Sequence, residues 1–143
     1  NFAPANFTYD GAVSAAATAS ESNYAAMAEE NTAVVRQAAT VGGVIQGRNG
    51  QYILRDRPNT LHVKLDGPVA GRVAFAAQAS GIGEDRARKR QVIEDEFRSQ
   101  LSDKTYHFDP RTNDWYDLVV NGSQLPVAAV VSIIKAAVEA KKA

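Results

Sequence analysis

Segments that favour β-strands alternate with segments that favour helices along this chain, and this alternation constrains its fold more than any other feature. Residues 61–66 alternate apolar and polar side chains, which is typical of a strand with one wetter face. Residues 116–120 and the pair Val44 and Ile45 are also strand formers. Because strands separated by helices join into a parallel sheet, the order predicts an α/β fold, a three-layer parallel sheet with flanking helices.

Helical patterns occupy the segments around these strands. They predict helices at residues 22–39, 69–80 and 83–103, a short helical turn at 51–55, and a last helix that starts at Pro126. Apolar side chains at helical spacing are expected to point inward and dock these helices. They are Val69, Val73, Ala76 and Ala77 in the helix at 69–80; Val92, Ile93 and Phe97 in the helix at 83–103; and Val127, Val130, Val131, Ile134 and Val138 in the last helix.

The length of 143 residues suits one domain. We interpret residues 1–21 as an irregular or weakly helical arm and residues 22–143 as the α/β domain. Basic and acidic residues are equal at 16 each, so no net charge would draw the whole protein to nucleic acid or to an anionic membrane.

The absence of certain residue types and patterns excludes several kinds of functional site. The chain has no cysteine, which excludes disulfides and thiolate metal sites, and it has no apolar run long enough to span a membrane. His62 and His107 have no partner at metal-ligand spacing, so we expect no metal-binding residue. We therefore expect a cytoplasmic protein with no membrane partner.

The stretch at residues 41–50, "VGGVIQGRNG", nearly matches the phosphate-binding pattern G-x-x-x-x-G-K-[ST], but Arg48 and Asn49 replace the lysine and the hydroxyl residue. A phosphate loop follows a strand and opens a helix, whereas here a predicted helix comes first. We therefore interpret Gly42 and Gly43 as a turn from helix to strand. Arg48 is then expected at the carboxyl end of a short strand, where parallel α/β sheets bind ligands.

Three segments carry a resemblance to a known family. They are "GRNGQYILRDRPNTLHVKLDGPVAGRV", "IGEDRARKRQVIEDEFRSQL" and "DWYDLVVNGSQLPVAAVVSII". In this order they resemble the cytidylate kinase-like branch of the nucleoside monophosphate kinases, over about residues 34–138. The resemblance implies a P-loop nucleotide kinase-like fold and ATP-dependent phosphoryl transfer to a nucleoside monophosphate, with ATP and Mg²⁺ as cofactors.

The resemblance also implies which residues bind the acceptor nucleotide. Arg48 would hold its phosphate or base edge, Arg72 would lie on the phosphate side, and Asp95 and Arg98 would bind the ribose and base region. Arginine suits this work because its planar fork matches phosphate oxygens. Gln91 departs from the family, since an arginine is common at that place, and this departure leaves specificity for cytidine open.

A basic helical lid at about residues 82–100 is the second implied feature. Arg86 and Arg90 would approach the transferring phosphoryl group, and Arg88 would contact the cofactor phosphates. Phosphoryl transfer depends mainly on positioning and positive charge, which such arginines supply. A solvated helix with ion pairs between residues four apart explains the same residues equally well. An ion pair between Asp95 and Arg98 is a similar alternative.

The family's first strand and its glycine-rich donor loop have no counterpart, because G-x-x-x-x-G-K-[ST] occurs nowhere in the sequence. That strand would be the middle one, and its loss would leave unpaired backbone groups on both neighbours. Three explanations stay open: residues upstream of Asn1, a strand from another chain, or a reorganised fold.

The functional hypotheses are accordingly a kinase for a pyrimidine nucleotide and a catalytically inactive binding, assembly or regulatory subunit. The expected partners are a small nucleotide and a homo-oligomeric or other protein partner that completes the sheet, while acids beside "RARKR" argue against nucleic acid.

Overall fold

The computed structural model describes residues 21–142, so the predicted arm lies outside the described residues apart from Glu21, where the first helix begins. The elements are α1 (Glu21–Val41), α2 (Gly50–Ile53), β1 (Val63–Asp66), α3 (Val69–Ser80), α4 (Glu84–Tyr106), β2 (Leu118–Asn121) and α5 (Val127–Lys142). The architecture is mixed α/β and mostly helical. Within the described residues, no helix is long and apolar enough to cross a membrane.

The sheet of the described residues has two strands, β1 and β2, which pair in parallel from Val63 beside Leu118 to Asp66 beside Asn121. Parallel pairing is the predicted arrangement, with α3 and α4 as the crossover between the strands. In the described residues β1 and β2 pair directly with each other, with no middle strand between them, and the outer edge of each strand has no strand partner. This direct pairing accounts for hydrogen bonds that a middle strand would otherwise make.

The predicted strand at Val44 and Ile45 is wrong. Residues 42–49 form an irregular connection, in which Gly42 (φ 83°) and Gly43 (φ 119°) turn the chain out of α1. Val44 is 93% exposed, whereas Ile45 packs against the core formed by Val35 and its neighbours. Strand propensity over two residues does not make a strand when no neighbouring strand pairs with it.

Helices α3 and α4 form a hairpin that is held by small apolar residues. Val73, Ala77 and Ala87 are buried together, and Ile82 in the connection packs against them. Gly81 ends α3 in the left-handed conformation (φ 64°), which glycine adopts without steric cost. The prediction that Val69 lies in the docking stripe is wrong, because this residue is exposed at the start of α3.

The predicted docking residues of α4 are largely wrong. Val92 is 63% and Ile93 57% exposed, and Phe97 is half-buried. The helix instead buries Ala87 and Ser102. A helix this rich in charge has a weak apolar stripe, so the neighbouring elements select which small residues are covered.

Helix α5 packs on β2 through fewer residues than its pattern predicts. Val130 is buried and Ile134 and Val138 are half-buried, as expected, but Val127 and Val131 are exposed. The two-strand sheet offers a narrow surface, and this surface covers only part of the apolar face of α5.

A second core lies where α1, α2 and the end of α4 meet. Val35, Ile53 and Leu54 are buried there, with Ala39, Ile45 and Tyr106 packed around them. An aromatic cluster adjoins it, in which Tyr52 stacks on Phe108 with ring centroids 4.7 Å apart. This core fixes the carboxyl end of α4 and thereby orients the rest of that helix.

Candidate functional site

The carboxyl ends of the two parallel strands meet at one edge of the sheet, which is where such sheets place ligands. Gly67 follows β1 with φ 148°, and a Cβ at this position would lie 2.6 Å from Asn121 Oδ1 and 2.8 Å from Ser123 Oγ. A Cβ at Gly71 in the first turn of α3 would lie 2.5 Å from the same serine oxygen. The φ angle of Gly67 favours glycine there, and a Cβ at either position would displace the side chain of Ser123.

Asp66, the last residue of β1, is a carboxylate at this edge. Its Oδ1 accepts a hydrogen bond of 2.9 Å from the backbone N–H of Gly67, and its Oδ2 lies 3.1 Å from Lys64 Nζ. The hydrogen bond from Gly67 lowers the pKa of Asp66, and Lys64 and Arg72 lower it further against the opposing effect of burial. The edge therefore carries a fixed negative charge close to Arg72.

Arg72 connects the strand end to α4. Its Nε donates to the carbonyl oxygen of Gly67 at 3.1 Å, and its Nη1 and Nη2 donate to the two carboxylate oxygens of Asp95 at 3.2 and 3.0 Å. This bidentate pairing raises the pKa of Arg72, so the guanidinium stays charged. Two of the predicted acceptor residues are thus in direct contact.

Asp95 collects further donors on α4. Gln91 Nε2 donates to Asp95 Oδ1 at 2.9 Å, and Arg98 Nη1 lies 3.6 Å from the same oxygen. The family resemblance identified Gln91 only as a position where this chain has glutamine and the family commonly has arginine. The structure shows that its amide orients the Asp95 carboxylate.

Glu94 links the acceptor residues to the predicted lid. Its two carboxylate oxygens lie 2.6 Å from Arg90 Nε and 3.4 Å from Arg98 Nη2. Arg72, Arg90 and Arg98 therefore form one network with Glu94 and Asp95. We call these five residues the arginine network. It contains one more positive than negative charge.

The other predicted lid residues, Arg86 and Arg88, are exposed on α4. Helix geometry puts Arg86 one turn before Arg90, and Arg88 two turns before Asp95 on the same face. Both residues flank the arginine network, and their roles toward a transferring or cofactor phosphate stay predictions.

Arg48 does not follow a strand, which corrects the expected position. It lies in a turn before α2 with φ 55°, and its carbonyl oxygen accepts a hydrogen bond of 2.8 Å from Asn31 Nδ2. The next residue, Asn49, accepts a 2.7 Å hydrogen bond from Ser102 Oγ on α4. Ser102 is one helical turn beyond Arg98. Residues 47–49, which we call the Arg48 turn, therefore lie beside the same helix as the arginine network.

Sequence reasoning missed Asn31 and Ser102, which anchor this turn. Neither belongs to a motif, and each is a polar residue within a helix, so no sequence pattern distinguishes it from an exposed residue. Their contacts span 17 and 53 residues along the chain. Only the packing of α1 and α4 around the turn brings these groups together.

A cleft of about 110 Å³ lies between α3 and α4. Its lining combines small apolar residues of both helices with three residues at or beside the arginine network, which are Arg90, Gln91 and Glu94. Small-molecule sites usually measure roughly 300–1,000 Å³. The cleft is therefore smaller than the usual small-molecule site.

The described residues fit the implied cofactors, ATP and Mg²⁺, only in part. Among residues 21–142, no group of three or more His, Asp or Glu side chains could hold a metal ion. Magnesium in nucleotide enzymes is commonly held by one or two carboxylates together with substrate phosphates, so Mg²⁺ here would depend mainly on a nucleotide. The sequence also contains no G-x-x-x-x-G-K-[ST] loop for the donor phosphates.

Comparisons with known proteins identify the family of this chain. The model of the family described as "Cytidylate kinase-like family" matches residues 3–124. A curated relative from Corynebacterium glutamicum, named "Uronate isomerase", is 33% identical over 119 residues, which cover 81% of this chain and 23% of the relative. The chain thus spans about a quarter of the length of that relative. No solved structure matches the chain.

Proposed function

Since the chain belongs to the cytidylate kinase-like family, we propose that it provides the acceptor-nucleotide site for ATP-dependent phosphoryl transfer to a pyrimidine nucleoside monophosphate. A donor-phosphate loop, from residues upstream or from a partner chain, completes the enzyme. The observation that carries this proposal is the arginine network beside the carboxyl ends of β1 and β2. The proposed location is the cytoplasm.

The charge of the arginine network supports binding of a phosphate. Phosphate and carboxylate both accept two parallel hydrogen bonds from a guanidinium, so an acceptor phosphate competes with Asp95 for Arg72. The excess positive charge favours this exchange. After it, Asp95 keeps its hydrogen bond from Gln91 and becomes an acceptor for a ribose hydroxyl or for an amino group of the base.

The position of the predicted lid residues near the start of α4 supports a role in the phosphoryl-transfer step. Arg86, Arg88 and Arg90 occupy the first turns of α4, and Arg90 already joins the network through Glu94. Closure of this end of α4 over a bound nucleotide would surround the phosphates with guanidinium groups and exclude water. ATP and Mg²⁺ supply the phosphoryl group and neutralise its charge when bound.

A second candidate is a catalytically inactive kinase-like domain that binds a nucleotide or a protein partner. The existing ion pairs of the arginines favour it, because carboxylates already occupy the guanidinium groups that would bind phosphate. The outer edges of the two-strand sheet, which have no strand partner in the described part of the chain, suit a second copy or another protein that completes the sheet. We propose no isomerase activity for this chain, because most of the relative of that name has no counterpart in it.

The experiment measures nucleotide binding with this chain, and it measures turnover with this chain together with the upstream residues or the partner chain that would supply the donor loop. Calorimetry with CMP, dCMP and UMP tests the acceptor site, and a coupled assay for ADP release with ATP and Mg²⁺ tests phosphoryl transfer. Arg72→Ala should weaken binding by about 10–100-fold, because it removes a charge-assisted bidentate contact. Arg111→Ala is the matched control, since Arg111 makes the same kind of paired contact to Asp109 away from the network.

The outcomes separate the two candidates. Turnover that depends on Arg72 supports the kinase. Binding that depends on Arg72 without turnover supports the inactive domain. If no nucleotide binds, or if Arg72→Ala and Arg111→Ala have equal effects, the acceptor site is wrong.

A further inference from the structure

Three consecutive residues in the turn before α2 have left-handed backbone conformations. Their φ angles are 69° at Gly47, 55° at Arg48 and 56° at Asn49. Glycine adopts this region freely and asparagine tolerates it, but arginine is unfavourable there because its Cβ crowds the carbonyl group. Such a conformation persists only where surrounding contacts maintain it, and it is concentrated at functional sites.

Asn31 on α1 provides the first of these contacts. Its Nδ2 donates to the carbonyl oxygen of Arg48 at 2.8 Å and to the hydroxyl oxygen of Tyr106 at 2.9 Å, so both amide hydrogens have acceptors. The Tyr106 hydroxyl in turn donates to the carbonyl oxygen of Ala28 at 3.1 Å. The orientation of Asn31 is therefore determined by the junction of α1 and α4.

Ser102 on α4 provides the second contact. It is 3% exposed, and its hydroxyl donates to Asn49 Oδ1 at 2.7 Å. A buried hydroxyl that uses its hydrogen in this way restricts the side chain it contacts. The backbone oxygen of Asn49 also accepts the N–H groups of Tyr52 and Ile53, which joins the turn to α2.

We propose that Asn31 and Ser102 are positioning residues that hold Arg48 in its left-handed conformation, so that its guanidinium meets the phosphate of an acceptor nucleotide. This inference rests on the proposed acceptor site and assigns to it two residues outside the arginine network. The two contacts approach the turn from opposite neighbours, α1 and α4. Together they orient the Cα–Cβ bond of Arg48 before a nucleotide arrives, which reduces the ordering cost of binding.

The test is a double-mutant cycle read by calorimetry with CMP, dCMP and UMP as probes. Asn31→Leu removes the donor to the Arg48 carbonyl while keeping the number and branching of the side-chain heavy atoms, and without a change of charge. We expect it to weaken binding of the preferred nucleotide by about tenfold. In an Arg48→Ala background the same substitution should have almost no further effect, because its action passes through Arg48.

Thr32→Val is the matched control. The Thr32 hydroxyl lies 3.0 Å from the same Tyr106 hydroxyl but makes no hydrogen bond to Arg48. This variant should lower the melting temperature as Asn31→Leu does and should change nucleotide affinity by less than about twofold. Ser102→Ala provides a second cycle if Asn31→Leu does not fold.

Each result either supports or overturns the inference. A tenfold loss that disappears without Arg48 supports it. If Asn31→Leu costs the same with and without Arg48, or if Thr32→Val costs as much, the positioning role is wrong while the acceptor site stands. If the unsubstituted chain binds none of the three nucleotides, the acceptor site and the positioning role both fall.

Discussion

The two ends of α4 are held in different ways. Residues 99–106, the anchored end, bury Ser102 against the Arg48 turn and place the Tyr106 hydroxyl in hydrogen bonds to α1. Residues 84–98, the charged end, meet α3 through Ala87 and through the pair of Arg72 with Asp95. One helix therefore has an end that packs on larger apolar side chains and buried hydroxyl groups, and an end that joins a core of small apolar residues to a network of ion pairs.

This difference has an energetic consequence. Partly exposed ion pairs usually contribute about 0–1 kcal/mol each, whereas burial of one apolar side chain contributes about 1.5–3 kcal/mol. The charged end buries Val73, Ala77 and Ala87, whereas the anchored end packs on the larger set Val35, Ile53 and Leu54. Since the ion pairs add little to this difference, the charged end should open at a lower free energy than the anchored end. The predicted lid at about residues 82–100 falls almost entirely on the charged end, and its closure over a nucleotide stays a prediction.

The largest expected effect comes from the two valines that are most deeply buried, one near each end. Val35 is 1% exposed in the core of the anchored end, and Val73 is 0% exposed between α3 and the charged end. Either change to alanine should lower the free energy of unfolding by about 2–3 kcal/mol, from lost burial and the cavity left behind. Urea denaturation measures the loss, and hydrogen exchange shows where protection is lost.

In Val73→Ala, protection should fall for amides near Ala87 and survive near Ser102. In Val35→Ala it should fall at both ends, because the anchored end itself is weakened. Identical exchange patterns in the two variants would contradict the division of α4 into two ends.

The next effect tests the hydroxyl that joins α4 to α1. Tyr106→Phe removes an oxygen that contacts Asn31, Thr32 and Ala28, and it should lower the free energy of unfolding by about 1–3 kcal/mol. Tyr116→Phe is the control, because the Tyr116 hydroxyl accepts one hydrogen bond, from Gln51, among the contacts described. If both variants lose the same stability, the Tyr106 contacts are not what anchors α4.

A smaller effect is expected at the centre of the charged end. Glu94→Gln removes the carboxylate that pairs with Arg90 and Arg98, so it should cost less than about 1 kcal/mol of stability. The same change should raise affinity for a nucleoside monophosphate by about two- to fivefold, because both guanidinium groups lose a competing anion. Calorimetry with CMP measures this gain.

Glu96→Gln makes the same charge change on the same helix, where Glu96 accepts a hydrogen bond from Gln100. It should leave affinity nearly unchanged. An equal gain in both variants would mean that net charge, and not the pairing of Arg90 and Arg98, controls binding.

The smallest effect concerns pH. The pKa of Asp66 is lower in the folded chain than in the unfolded chain, so its ionisation stabilises the fold above the unfolded pKa of about 3.9. That contribution is lost as pH falls through the folded value. Because Asp66 is partly exposed, the contribution should be only about 0.3–0.5 kcal/mol. Urea denaturation between pH 3 and pH 5 should show a shallower pH dependence in Asp66→Asn, and an unchanged slope would contradict this assignment.

The sequence predicted the helices better than their packing. Helices α1, α3 and α4 begin and end within a few residues of the predicted bounds, because periodicity and the glycines at 42 and 81 are local signals. The docking residues Val92, Ile93, Val127 and Val131 were wrong for the opposite reason. Whether an apolar face is covered depends on neighbours far away in the chain.

The candidate site shows the same division. Family motifs identified Arg72, Asp95 and Arg98, and the structure brings these three together. The motifs carried no signal for Asn31 or Ser102. The residue type at position 48 also gives no indication of its left-handed backbone, since arginine is ordinarily found in right-handed or extended conformations.

The sequence by itself determined the family, the alternation of helices with parallel strands, and the arginines that the family resemblance assigns to an acceptor site. Local propensity and motif order are sufficient for these features because they act over a few residues at a time. Only the tertiary structure decided that β1 pairs directly with β2, that Asp95 pairs with Arg72, and that α1 and α4 hold the Arg48 turn. These are contacts between segments 17 to 55 residues apart, and they form only when the whole chain is packed.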